Sequence, residues 1–365
     1  MSDAESRGEG AAERDREHEN RGTGRNIAPS AAELSGEGAD QAVPRQRSTS
    51  EGAPPFDIWR RPASEADRAD PTYYDRPVLK EPVWMWAVPA YFYAGGVAGA
   101  AATLGAVAQA ADGSAFAGLV RRCRWLAAAG TTIGAGLLVY DLGRPARFLN
   151  MLRVLRPSSP LSVGSWLLAS SGPLAGASAL LDGADGAAGA LGSLAGATTG
   201  ALGLPLSSYT AVLLSNTTVP LWHEARRTLP PLFSASAAVA AASLLDLMSL
   251  SEAERRVVHR FGTTARVAEL AAARALEVEL GPSRTVSRPL HEGVGGALWR
   301  ISNSLTGASL MVSLLGRRQR WTRTASGVLG TAGAVALRFA LFYAGKASAR
   351  DPRATFHTQH ADGPT

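Results

Sequence analysis

Long stretches of this chain carry no charge at all. Residues 83–111 run 29 positions without an acidic or basic side chain, residues 157–181 run 25, and residues 186–222 run 37. One helical crossing of a bilayer core takes about 20 mostly apolar residues, so each stretch can span a membrane. The pattern predicts crossings near 83–108, 124–140, 161–181, 196–219, 229–250, 294–315 and 322–344. Trp84 and Trp86 open the first at the level where interfacial aromatics belong. Gly203 and Pro205 interrupt the longest stretch, which predicts a glycine-rich loop ahead of the helix at 196–219. Residues 252–280 are helical in composition but hold many ions, among them Arg255, Arg256, Arg260, Arg266, Glu269 and Arg274. Such ions are costly against lipid. Two readings stay open for this segment: an amphipathic surface helix, or a helix whose charges pair inside a bundle. The expected fold is an all-α polytopic membrane bundle of seven or eight crossings.

Before the first crossing the pattern changes. Residues 1–80 are rich in Glu, Arg, Gly, Ser and Ala, and prolines punctuate them at 54, 55, 62, 71 and 77. Too little apolar surface is available to offset the ordering entropy. We therefore expect a disordered tail over 1–80, a membrane domain over 81–346 and a short C-terminal tail over 347–365. Trp59, Tyr73 and Tyr74 leave two options for the end of the first tail, a spacer or a segment that folds on a partner. The start lacks the positive-then-apolar pattern of a secretory signal, which places the N-terminus in the cytoplasm. The loop after the second crossing holds four arginines, whereas the loop after the third holds only Asp182 and Asp185. The positive-inside bias puts the arginine loop of a cytoplasmic-membrane protein on the same side as the N-terminus; Arg121, Arg122 and Arg124, expected in the loop after the first crossing, argue the other way.

Composition narrows the chemistry. Basic residues number 37 against 31 acidic, a net charge of +6, but the arginines flank apolar segments and do not read as a nucleic-acid surface. Cys123 is the lone cysteine, so this chain alone can form no disulfide and no cysteine-ligated cluster or zinc site. None of its six histidines falls in the middle of a clearly predicted crossing, so no axial pair for a haem is expected. No metal site is predicted.

The most informative run is 140–166, YDLGRPARFLNMLRVLRPSSPLSVGSW. A membrane helix closes on Asp141, Gly143 and Pro145 break it, and four arginines then alternate with Phe148, Leu149, Met151 and Leu152. Pro157 and Pro160 stop that short helix before the next crossing. The segment offers a carboxylate at the membrane boundary and a cationic, amphipathic shelf.

This run resembles the polysulphide-reductase-type (NrfD) membrane subunits, whose members show DLGRP-x-RF-x-x-ML-R followed by P-x-SP-[ML]-S-x-G-x-W. The likeness extends to WAVPAYFYAGGVAG at 86–99, to YTAVLL at 209–214 with VPLW at 219–222, and to LRFALFYAG at 337–345. It implies two four-helix bundles, hence eight crossings. It also implies a haem-free subunit of a modular oxidoreductase that exchanges electrons with menaquinone or ubiquinone. The implied partners are a ferredoxin-like iron–sulfur subunit and a molybdopterin catalytic subunit. The heavy charge of 252–280 departs from the family pattern.

A quinone site needs an apolar slot with polar groups that bond to and exchange protons with the quinone oxygens. By the resemblance this slot lies in the first bundle. Tyr209 is the leading candidate, and its competing role is that of an interior tyrosine bonded to a neighbouring helix. Tyr91 and Tyr93 either line the slot or simply pack. Asp141 is a proton relay or a capping residue. Arg144, Arg147, Arg153 and Arg156 dock the partner or hold lipid phosphates. Asp246, Arg300 and Arg338 form a proton path or structural ion pairs. Gly95, Gly96 and Gly99 are packing residues at small-xxx-small spacing. Competing functions are a plain membrane anchor without quinone chemistry and a secondary transporter.

Overall fold

The computed structural model describes residues 79–315, 319–352 and 354. The expected N-terminal tail lies outside these residues except for Leu79 and Lys80. Every regular element among the described residues is a helix. Eight are long: α1 (Ala87–Asp112), α2 (Ala117–Leu142), α4 (Pro160–Leu180), α5 (Gly186–Ser215), α7 (Leu229–Asp246), α8 (Glu252–Leu280), α10 (Gly293–Leu315) and α11 (Arg320–Arg350). Three are short connectors: α3 (Pro145–Met151), α6 (Pro220–Glu224) and α9 (Arg284–His291). Five of the long helices, α1, α2, α5, α7 and α11, are long and apolar enough to cross a membrane.

Local chemistry explains the boundaries. Gly143 ends α2 at φ 69°, a left-handed conformation that glycine enters without a Cβ penalty. Proline at the first helical position starts α3, α4 and α6, where its missing N–H is harmless. Ser159 also caps α4 by accepting from the Ser162 N–H. A reciprocal capping box between Ser251 and Glu254 opens α8.

Successive long helices run antiparallel and sort into two bundles. The first packs α1, α2, α4 and α5; the second packs α7, α8, α10 and α11. Contacts of α7 with α1 and α5, and of α11 with α1, form the seam between them. All three short helices sit at one end of this arrangement, together with the arginine loop. We call that end the arginine face. The ends at Asp112, Leu180, Asp246 and Leu315 lie on the opposite face.

Two expectations change, and one open choice is decided. The predicted glycine-rich loop is helical, since α5 runs unbroken from Gly186 and through Pro205. Its small residues let it press against α1: a Cβ on Gly203 would stand 2.3 Å from the Gly99 carbonyl oxygen. Arg121, Arg122 and Arg124 belong to α2, not to a loop, because α2 starts at Ala117. Their charges are met there by Asp182 and Glu254. The segment 252–280 resolves into the second of its two readings, a helix packed on α7 and α10 whose central charges point inward.

Candidate functional site

The arginine loop builds a shelf on one face of the first bundle. Arg144, Arg147, Arg153 and Arg156 are all exposed, and so are Leu149, Val154 and Leu155 between them. The turn is held by its own polar groups. Arg147 donates to the Leu142 carbonyl at 3.3 Å, and Ser162 Oγ donates to the Val154 carbonyl while accepting the Arg156 N–H. Asp141 accepts the backbone N–H of Met85 at 3.2 Å, which ties the approach to α1 to the end of α2. Exposed cations beside exposed apolar side chains suit an acidic protein surface or a lipid headgroup layer.

Directly beneath this shelf, two of the candidate tyrosines meet. Tyr91 enters α1 one turn from its start, and Tyr209 lies in the last two turns of α5. Their rings stand edge-on with centroids 6.5 Å apart. Tyr91 is 3% exposed and belongs to an apolar cluster with Phe92, Leu168 and Leu214, against which Tyr209 packs. Glycines make the space. A Cβ on Gly164 of α4 would fall 2.1 Å from Tyr209 Cε2, so only glycine admits the ring there. On the other flank, a Cβ on Gly134 of α2 would touch Tyr91 at 3.4 Å. Two phenols between apolar helices, close to a cationic shelf, can hydrogen-bond a ligand with polar oxygens on a flat ring.

The structure separates Tyr93 from that pair. Two residues along a helix turn the side chain by about 200°, and Tyr93 faces the seam. There it lines an apolar groove of about 310 Å³ with Val97, Ile133, Leu137 and Phe339. The candidate path residues also divide. Arg300 is exposed at the arginine-face end of α10 and donates to the His291 carbonyl. Asp246 and Arg338 are buried in the second bundle, at 8% and 2% exposure.

Two residues named only among the charges of 252–280 complete the buried set. Arg266 is fully buried and reaches Ser309 Oγ at 2.7 Å, Ser243 Oγ at 3.3 Å and Asp246 Oδ2 at 3.4 Å. Glu269, 1% exposed, accepts from Thr306 Oγ1 at 2.7 Å. Arg338 donates to the Phe233 carbonyl at 2.9 Å and lies 4.0 Å above the Phe233 ring. The signal for Arg266 and Glu269 was their three-residue spacing, which places both on one face of α8. Among the described residues no three His, Cys, Asp or Glu side chains gather as a metal site.

Sequence comparison adds one finding to this geometry. A family model described as polysulfide reductase, of the NrfD type, matches residues 72–350. No curated protein matches the chain at a significant level.

Proposed function

We propose, from the premise that the chain belongs to the NrfD-type polysulfide reductase family, that it passes electrons between an iron–sulfur partner and the membrane quinone pool. The family match and the membrane-length helices make it a membrane subunit of an oxidoreductase complex. The finer reading draws its support from one observation: Tyr91 and Tyr209 pair under the exposed arginine shelf.

On this reading the shelf docks a ferredoxin-like subunit, itself joined to a molybdopterin catalytic subunit. Arg144, Arg147, Arg153 and Arg156 supply the cations and Leu149 and Leu155 the apolar contact. The chain's own residues fit a quinone. Tyr91 and Tyr209 pack with Leu168 and Leu214 in an apolar cluster, and the Tyr209 phenol can donate a hydrogen bond to a carbonyl oxygen. A bound menaquinone or ubiquinone would supply the two-electron, two-proton chemistry. Tyr91 orients Tyr209 through the edge-on ring contact. On this reading Asp141, which accepts the Met85 N–H at the end of α2, hands protons to water. Tyr91 is buried between the helices and Tyr209 is partly buried beside it. The arginine face, with the N-terminus, lies on the cytoplasmic side.

The test uses membranes that carry the whole complex, with decylubiquinone or menadione as the acceptor. Tyr209→Phe should lower quinone turnover by about tenfold or more, the scale of losing a positioned proton donor, while the complex still assembles. Unchanged turnover with intact assembly removes Tyr209 from the site. If turnover also persists in a complex lacking this chain, the subunit is an anchor.

A further inference from the structure

Two openings along α2 join into one cleft. The apolar groove beside Tyr93, of about 310 Å³, extends toward the opposite face. There it shares Leu126 and Ala129 with a wider cavity of about 640 Å³, whose wall includes Arg121, Arg122, Trp125 and Met248. On α2 the common wall is one stripe, Arg122, Leu126, Ala129, Ile133 and Leu137, at three- and four-residue spacing. From Leu126 to Leu137 the stripe runs about 16 Å at the helical rise. That is close to half of a hydrocarbon core about 30 Å thick, the depth of one leaflet.

The groove and its mouth differ in chemistry. A Cβ on Gly130 would stand 2.8 Å from the Ala94 carbonyl oxygen, so α2 meets α1 backbone to backbone and the two floor the groove. Leu244 of α7 and Val335 and Phe339 of α11 form the far wall, which places the groove across the boundary between the bundles. The one hydroxyl among its lining side chains, on Tyr93, is buried. A quinone ring would find no hydrogen-bond partner there, whereas an acyl chain needs none. At the mouth, Arg121 and Arg122 make no hydrogen bond among the described residues, reaching Asp182 and Glu254 only at 3.8 and 3.7 Å. Both carboxylates are held more closely elsewhere: Asp182 pairs with Arg124 at 2.7 Å, and Glu254 accepts the Ser251 N–H at 2.8 Å. Three guanidiniums thus share two carboxylates. Trp125, 49% exposed, stands beside them as interfacial aromatics do. Basic clefts between transmembrane helices hold lipid phosphates.

We propose that this cleft binds an anionic phospholipid of the opposite-face leaflet, its phosphate held by Arg121 and Arg122 and one acyl chain laid along α2 to Leu137. The lipid bridges the two bundles where their own side chains leave a groove. The site does not rest on quinone exchange at Tyr209, which lies toward the arginine face.

Native mass spectrometry of the delipidated full chain in detergent tests this, with dioleoyl phosphatidylglycerol and dioleoyl phosphatidylcholine as probes with identical acyl chains. The native chain should bind phosphatidylglycerol at least about tenfold more tightly, the scale of two arginines at one headgroup. Arg121→Gln with Arg122→Gln should bring the two lipids level. Ala129→Phe fills the shared stretch of the cleft from an exposed position. It should weaken both lipids by about tenfold, the scale of losing a few buried methylenes. Ala197→Phe, on the exposed flank of α5, should change neither. Equal binding of the two lipids by the native chain overturns the headgroup site, and binding unmoved by Ala129→Phe overturns the groove. Displacement of phosphatidylglycerol by equimolar ubiquinone-10 would assign the groove to a quinone tail and overturn the proposal. Matching elution on size exclusion confirms that each variant is folded.

Discussion

The two bundles share an architecture and differ in what they bury. The first is assembled from small and aromatic residues. Its α1 and α5 meet at Gly99 and Gly203, and its one buried guanidinium, Arg124, sits near a helix end with Asp182 at 2.7 Å. The second buries Arg266, Glu269 and Arg338 within its helices and Asp246 at the end of α7. The first bundle thus packs its four helices with one buried guanidinium, Arg124, close to its ends. Charges that packing does not require, held at a net desolvation cost, point to a role other than holding helices together.

The sharpest way to break this comparison is to remove one member of the buried set. Arg266→Met leaves the Asp246 carboxylate without the buried guanidinium that pairs with it. It should lower unfolding stability by about 3–5 kcal/mol, measured by denaturant unfolding in bicelles. Adding Asp246→Asn and Glu269→Gln should restore most of the loss. Arg124→Met should cost less than half as much, because Asp182 keeps access to water. Equal losses in the two bundles would erase the distinction.

A smaller effect probes the first bundle where it is tightest. Gly164→Ala puts a methyl group 2.1 Å from Tyr209 Cε2 and should cost about 1–3 kcal/mol through overpacking. Because the ring must move, quinone turnover should fall in step with Tyr209→Phe. Loss of stability with full turnover would separate the ring's packing from its chemistry.

The smallest effect concerns the clasp between chain ends. Partial burial pushes the Glu81 carboxyl up, but hydrogen bonds and charge from Arg350 and Lys346 outweigh it and hold the group below its ordinary 4.5. A carboxyl depressed in the folded state stabilises above its unfolded value, and that contribution fades as pH falls through the lower folded value. Melting temperatures of the native chain and Glu81→Gln should therefore differ at neutral pH and converge on acidification toward and below pH 4, read by thermal scans. A gap that persists or widens in acid would show that Glu81 acts by packing alone.

Much of this was legible in the residues. Charge-poor length located most of the long helices, and Gly143, Pro145 and Pro160 marked the shelf to within a residue or two. The helix at 186–195 was not, because glycine and alanine read as loop until a neighbouring helix presses on them. In lipid an unpaired backbone favours the helix regardless. The split between Tyr91 and Tyr93 follows from helical rotation alone, so it could have been read. Position along the predicted crossings already set Arg300, near a helix start, apart from Arg338, but the turn of Arg338 onto Phe233 of α7 could not be read. The same holds for the seam groove, whose members are scattered from 90 to 339.

Glu81 pairs with Lys346, whose ammonium also caps the Trp84 carbonyl, and Trp84 stacks on Trp222 at 5.9 Å. The segment entering the first bundle is thus buckled to the last helix of the second, closing the chain into a belt. A cut between Ser215 and Pro220 would sever the belt at one point only, leaving the halves fastened across the seam and at the buckle.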